Sequence, residues 1–302
     1  MARGAALSPS ASELARTLHV RPGVGMAAHV MQGEGLKIVR VRVERPALIL
    51  VDRGIKTVQP ERGAAVRAAP GQALLLAGGQ TVDFHNEVGP DAHYEARWLL
   101  FAGTVLDDPY YLSTVEKRLG AASSAASPSA SSAAPVRALR RVSVGLAESF
   151  ERARLALAPD PARPDAVVRQ QLLEVAHWLL DAGLPLRAPA EDARISGRIR
   201  AMLSAELDAD WTSARIAGAL AMSEATLRRR LAAEGTTLSA LIADVRMASA
   251  LVLLQATARP VSEIALAVGY DSPSRFAVRF RNRFGFAPTA VRGHARPGHA
   301  AP

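Results

Sequence analysis

The side chains best suited to chemistry in this chain are arginines, and they recur in one setting. Arg228-Arg229-Arg230 follows Ser223-Glu224-Ala225-Thr226-Leu227, and Arg275, Arg279, Arg281 and Arg283 follow Ser272-Pro273-Ser274. A guanidinium presents a planar fork of donors that fits a phosphate or the major-groove edge of guanine. Leu227 and Leu231 stand four apart, as do Phe276 and Phe280. On a helix these pairs face a core and leave the arginines facing outward. The chemistry on offer is recognition of a polyanion.

The elements that must position these side chains read as a degenerate duplication. One copy spans Arg215 to Leu231 and the other Glu263 to Phe280. Each is a short apolar helix, a tight turn and a second helix with an Arg-rich face, the sequence form of a helix-turn-helix. A helix is expected over Ile195–Leu207, and Thr212 or Ser213 caps the next. Ser223 caps the first recognition helix, with Glu224 favourable in its first turn. Ala225, Thr226, Arg228 and Arg229 then face outward. An Ala or Thr leaves room for a thymine methyl, while the run through Arg230 suits phosphates; a mixture of both contacts is expected. A long apolar helix over Leu238–Ala256 reads as a buried spacer between the two units. Pro260 sits at a first-turn position, Gly269 makes the second turn, and Ser272 caps the second recognition helix. Pro273, Ser274, Ala277 and Val278 form its candidate groove face, flanked by Arg275, Arg279, Arg281 and Arg283. Small outward residues predict weaker base reading and more phosphate gripping there.

Charge agrees. The 302-residue chain carries a formal charge of +9. From residue 195 onward there are fourteen arginines, no lysine and eight carboxylates, so much of the excess lies around the duplication. That suits nucleic acid, although charge alone does not separate it from a membrane surface. There is no cysteine, which excludes disulfides, thiolate zinc sites and thiol catalysis. The first twenty residues lack a signal-peptide core, and no apolar run is expected to reach the roughly 18 residues of a membrane span. The expectation is a cytoplasmic protein with no membrane partner.

The N-terminal half is patterned differently. Residues 1–22 read as a flexible arm. Over 23–118, Lys37–Val43 and Tyr94–Leu100 alternate with period two, and Pro46–Val51 and Ala73–Ala77 are short apolar runs. Turn signals at Gly54, Gly63, Gly71 and Gly79 complete the pattern of a β-sandwich or barrel. Residues 119–135, rich in Ala and Ser, read as a linker. Helices are expected over Val136–Leu157 and Ala166–Leu180, an appendage over 136–185 that packs on the β domain or forms a dimer seam. The proline-bearing stretch 184–192 marks the boundary to the helical region, 193–295.

Residues 195–293 resemble the DNA-binding domain of the AraC/XylS family of bacterial transcription regulators. The resemblance rests on Ile216-Ala217, Met222-Ser223, Leu227-Arg228-Arg229, Arg246-Met247, Ala250, Leu253-Leu254, Ile264-Ala265, Val268-Gly269-Tyr270, Ser274, Phe276, Phe280, Gly285 and Pro288. It implies seven helices, with two recognition helices entering adjacent major grooves about 34 Å apart. The arginine that the family often has at Val278 comes here one residue later, at Arg279. The β-rich half resembles, by strand pattern and domain order, the cupin-like sensor domain found in many members.

The fold class expected is therefore α+β and multidomain: a cupin-like β-barrel or sandwich with appended helices, then an all-α double helix-turn-helix domain. No catalytic residue is assigned. The histidines include no His-x-His pair for a metal cupin site, and no Gly-x-Ser-x-Gly elbow occurs, so neither a metal, a cofactor nor an enzyme is expected. Tyr94 and Trp98 share a strand face and are the candidate effector-binding residues, or ordinary barrel core. The functional expectation is a sequence-specific regulator, an activator by resemblance, responding to a small-molecule effector. Its partners would be promoter DNA, RNA polymerase and a second copy of the chain. The alternative is a ligand-independent regulator whose N-terminal domain only dimerises.

Overall fold

A computed structural model describes residues 16–90, 92–125, 134–188 and 194–292. The N-terminal half opens with nine strands: β1 (Thr17–Arg21), β2 (Gly25–Gln32), β3 (Leu36–Val43), β4 (Ala47–Arg53), β5 (Ile55–Pro60), β6 (Val66–Ala68), β7 (Ala73–Leu76), β8 (Gln80–Glu87) and β9 (Tyr94–Phe101). Helices α1 (Gly103–Leu106) and α2 (Pro109–Ala125), strand β10 (Val136–Leu139), and helices α3 (Val144–Ala156) and α4 (Asp165–Asp181) follow.

The strands form two antiparallel sheets. One has the order β1-β2-β9-β4-β7-β10 and the other β3-β8-β5-β6. Neither sheet closes, so the barrel expectation is corrected to an open two-sheet arrangement. Period-two alternation and regular turns are common to both architectures; closure depends on pairing between distant edges, which local pattern does not encode. The chain changes sheets at Gly54, between β4 and β5. Its φ is +70°, and a Cβ there would come within 2.2 Å of the Glu87 carbonyl oxygen, so the crossing needs glycine twice over.

Three boundaries also move. Strand β1 lies inside the expected arm; residues 1–15 of that arm are outside the described residues. Helix α2 runs through residue 125, into the expected linker, whose residues 126–133 are likewise outside them. Where one helix was expected over Val136–Leu157, β10 extends the larger sheet beside β7 and α3 begins only after the Ser143 cap, whose hydroxyl accepts from the Leu146 N–H at 3.3 Å. Alternating strand residues give the larger sheet two apolar faces. Its outer face, with Leu48, Leu50 and Phe101, packs against Phe150 of α3 and Leu172 and Leu179 of α4. Its inner face, with Val30, Ile49 and Leu74, meets Ile38, Val58 and Phe84 of the smaller sheet.

The C-terminal half is helical: α5 (Ile195–Ala205), α6 (Ser213–Ala219), α7 (Glu224–Ala233), α8 (Leu238–Ala256), α9 (Val261–Ala267), α10 (Pro273–Phe284) and a 3₁₀ turn over Pro288–Arg292. Pro260 stands at the N-cap of α9 rather than within its first turn. Helix α8 serves two cores. Leu241 and Val245 pack with Ile199, Leu227 and Leu231 of the first unit. Met247, Ala250, Leu251 and Leu254 join Ile264, Phe276 and Phe280 of the second, in a core continuous with the inner face of the sheets. With 19 residues and a mean hydropathy of 1.5, α8 does have the length and composition of a membrane span, contrary to expectation. Its side chains are instead consumed by packing on both units and against β1 and β2.

Leu254 has no exposed surface. Leu254→Ala is therefore expected to destabilise the protein by roughly 2–5 kcal/mol in urea unfolding. A change near zero would contradict the shared-core role of α8.

Candidate nucleic-acid interface and an inner-sheet polar cluster

Each recognition helix is started by the serine expected to start it. The Ser223 hydroxyl accepts from the Thr226 N–H at 3.2 Å, and that of Ser272 from the Arg275 N–H at 3.3 Å. Glu224 lies in the first turn of α7 and bonds the Ser213 hydroxyl of α6, joining the two helices of the unit. Glu234, just past α7, accepts the N–H groups of Ile195 at 2.7 Å and Ser196 at 3.0 Å, which fixes the start of α5. Leu227 and Leu231 are buried beneath α7, and Phe276, Phe280 and Phe284 beneath α10.

The outward residues fall on the faces their spacing implies. On α7 and its cap, Ser223, Ala225, Arg228, Arg229 and Arg230 are exposed and Thr226 is half-buried. On α10, Pro273, Ser274, Arg275, Arg279 and Arg281 are exposed, Ser272 and Ala277 are half-buried, and Val278 is 60% exposed. A valine so open to water, on a face flanked by three arginines, has no packing role of its own.

Arg283 is the exception. It is half-buried and turned away from that face. Its guanidinium pairs with Asp244 of α8 at 3.1 Å and donates to the carbonyls of Val39 at 2.9 Å and Arg40 at 2.6 Å. Those carbonyls belong to an irregularity in β3, where the register with β8 shifts and Arg40 adopts a φ of +55°. The second recognition helix is thus tied to the β domain. Arg200 of α5 supports the same junction through Asp244 at 2.7 Å.

Arg246 of α8 joins the two helix-turn-helix units. Nε donates to the Leu207 carbonyl at 3.1 Å and Nη2 to Ala209 at 3.0 Å, both on the first unit's side. Nη1 donates to the Gly269 carbonyl at 2.9 Å, in the turn of the second unit. Gly269 has a φ of +80°, and a Cβ there would sit 2.6 Å from the guanidinium carbon. Both the turn and the arginine require glycine.

In the N-terminal half, Tyr94 is fully buried and Trp98 half-buried, both on the inner face. Between them stands a residue the sequence reading missed. Lys56 of β5 is fully buried, with Nζ 4.0 Å from the Phe84 ring centroid, 4.9 Å from Trp98 and 5.6 Å from Tyr94. The signal was available: Lys56, Val58 and Pro60 alternate on one strand face, and a lysine in the phase of buried neighbours is anomalous. On the opposite face, His29, Asp52 and Glu95 bring possible metal ligands within 4.8 Å of one another. Their charge is already met: Arg97 donates to both Asp52 oxygens, at 2.6 and 2.8 Å, and Arg53 approaches Glu95 at 3.2 Å.

Comparison with known proteins agrees with the helical half. Residues 216–294 match a family described as a helix-turn-helix domain. The regulator SirC of Salmonella typhimurium is 38% identical over 87 residues, 29% of this chain and 30% of its own length. The transcriptional activator CfaD of Escherichia coli is 32% identical over 93 residues, 31% of this chain and 35% of its own. The chain thus matches only about a third of the length of these curated relatives. At the level of fold, it is similar to unsaturated-fatty-acid-bound ToxT from Vibrio cholerae, with 12% identity and a TM-score of 0.53 over 90% of this chain and 98% of that one. The C-terminal third is homologous to transcriptional regulators of the AraC/XylS family, and the relatives matched are regulators rather than enzymes.

Burial pushes the Lys56 ammonium down to about 7, from about 10.4 for a free lysine. Between those values the unfolded chain binds a proton that the folded chain lacks, so stability rises with pH across that window. Below about pH 7 both states carry the charge and the burial penalty is complete. Lys56→Met is expected to flatten the rise and to raise the urea midpoint at neutral pH. An unchanged slope would place the titration elsewhere.

Proposed function

We propose that this chain is a sequence-specific DNA-binding regulator of transcription. In this reading α7 and α10 lie in successive major grooves. Ala225, Thr226, Arg228 and Arg229 meet base edges, while Arg230, Arg275, Arg279 and Arg281 hold phosphates, with Ser223, Ser272, Pro273, Ser274 and Val278 at the groove surface. The observation that carries it is the pair of serine-capped helices with exposed arginines, clamped to one another through Arg246. Two sites fixed on one chain gain affinity because the second contact becomes intramolecular.

The finer reading is an activator, in keeping with the homology to CfaD, acting on promoter DNA and RNA polymerase in the cytoplasm. The N-terminal half holds a small-molecule effector on the inner face, where Tyr94 and Trp98 stand. The fold-level similarity to a fatty-acid-bound protein is compatible with a ligand in this half but identifies none. Effector control follows because that inner face and the second helix-turn-helix unit share one core. A homodimer seam is supported by apolar side chains left open on the appended helices: Tyr110 of α2 at 73% exposed, Val144 of α3 at 74% and Trp178 of α4 at 38%.

Binding-site selection with the full chain is expected to return one motif, or a pair of motifs if the chain dimerises. On that motif, Arg228→Ala or Arg229→Ala should cost roughly 1–3 kcal/mol and relax selectivity at one base pair. An equal loss on every sequence would reassign the altered arginine to phosphate, and selection that returns no motif would overturn sequence-specific reading.

A further inference from the structure

The cluster around Lys56 is more polar than a sheet-to-sheet core requires. Nζ donates to Asn86 Oδ1 at 2.9 Å, and Asn86 Nδ2 donates to Gln32 Oε1 at 3.0 Å. Lys56, Asn86 and Gln32 are all fully buried. The relay ends there, because Gln32 Nε2 has no partner. Tyr94 Oη and Trp98 Nε1 are also buried without one. Among the described residues, no carboxylate pairs with Nζ. The unspent groups are almost entirely donors: the amide and indole nitrogens, the remaining ammonium hydrogens and the phenol. Both amide oxygens already accept. A buried set of donors with no acceptor is costly, and it defines its complement as a compact group with several lone pairs and a negative charge.

We propose that this cluster is the anion-binding end of the effector site. A small monocarboxylic acid would bind there as its carboxylate, between the sheets, accepting from Lys56, Gln32, Tyr94 and Trp98. This rests on the effector reading above and gives it a ligand class. A carboxylate brings two oxygens and about four lone pairs, and charge-assisted bonds to it are roughly twice as strong as neutral ones. An amide of the same length adds donors where acceptors are wanted, and an amine adds like charge. Buried water could satisfy the donors but would leave the ammonium without a counter-charge. The phenol stays a donor, because burial and the Asp52 charge raise the Tyr94 ionisation well above its ordinary value. Because Lys56 titrates near 7 in the free protein, a carboxylate that restores its charge must bring a proton with it at higher pH.

The test is titration calorimetry of the full chain at about pH 8, in phosphate and in Tris, whose ionisation heats differ. The probes are acetate, butyrate, hexanoate and octanoate, each against its amide and its amine. At least one acid is expected to bind about tenfold or more tighter than its amide, with proton uptake visible as a buffer-dependent heat. Lys56→Met removes a buried charge, so it folds; it should lose both the preference and the uptake. Gln32→Leu should weaken binding while keeping the uptake. Equal affinity for acid and amide, acid binding that survives Lys56→Met, or no binding of any acid by folded protein overturns the proposal. DNA affinity is measured separately. An acid that binds through Lys56 without changing DNA affinity sinks the effector reading and leaves the anion site standing, whereas a DNA response to neutral ligands alone does the reverse.

Discussion

Everything the C-terminal half can do depends on Arg246. One guanidinium spends its donors on three backbone carbonyls, two beside the first helix-turn-helix unit and one in the turn of the second. Alone, either unit buries little and presents a short helix with a few arginines. Held together, they become a rigid pair. The arrangement also explains the turn itself: Gly269 is where the chain must adopt a positive φ and where the arginine comes closest, so no side chain fits. Removing the guanidinium would leave buried carbonyls unpaired, at about 1–3 kcal/mol each.

The same logic extends to the β domain. Helix α8 gives one stretch of its surface to the first unit, and another to a core that runs through the second unit into the inner face of the sheets. Arg283, at the end of the second recognition helix, reaches back to Asp244 and to the β3 irregularity. A change between the sheets therefore has a packed route to the DNA-facing surface, and Lys56 is the strained point on that route. A lysine with its charge in an apolar interior is tolerated only when something offsets it; aromatic faces and one amide oxygen do so in part.

Much of the helical half was legible in the sequence, because its signals are local. Ser223 and Ser272 announce their helices by side-chain oxygen alone, and four-residue spacing places Leu227, Leu231, Phe276 and Phe280 in the core. What escaped is non-local. Sheet closure depends on edges far apart in the chain, and β10 pairs with β7 across some sixty residues. Arg283 looks like one more groove-facing arginine until the β3 bulge brings two carbonyls to it. Lys56 escaped differently: its strand phase marked it as inward, but lysine is read by default as a surface residue. The low-complexity character of 119–135 hid a helix start, since alanine favours a helix as readily as a linker.

The central claim is that two recognition helices act as one rigid reader. It is tested most directly by measuring the affinity of the full chain and of Arg246→Met for a duplex carrying both half-sites and for one with a half-site scrambled. The account predicts that Arg246→Met loses about tenfold or more on the intact duplex, roughly 1.4 kcal/mol or above, and changes little on the scrambled one. A folded Arg246→Met protein that binds both duplexes as the parent does would contradict it.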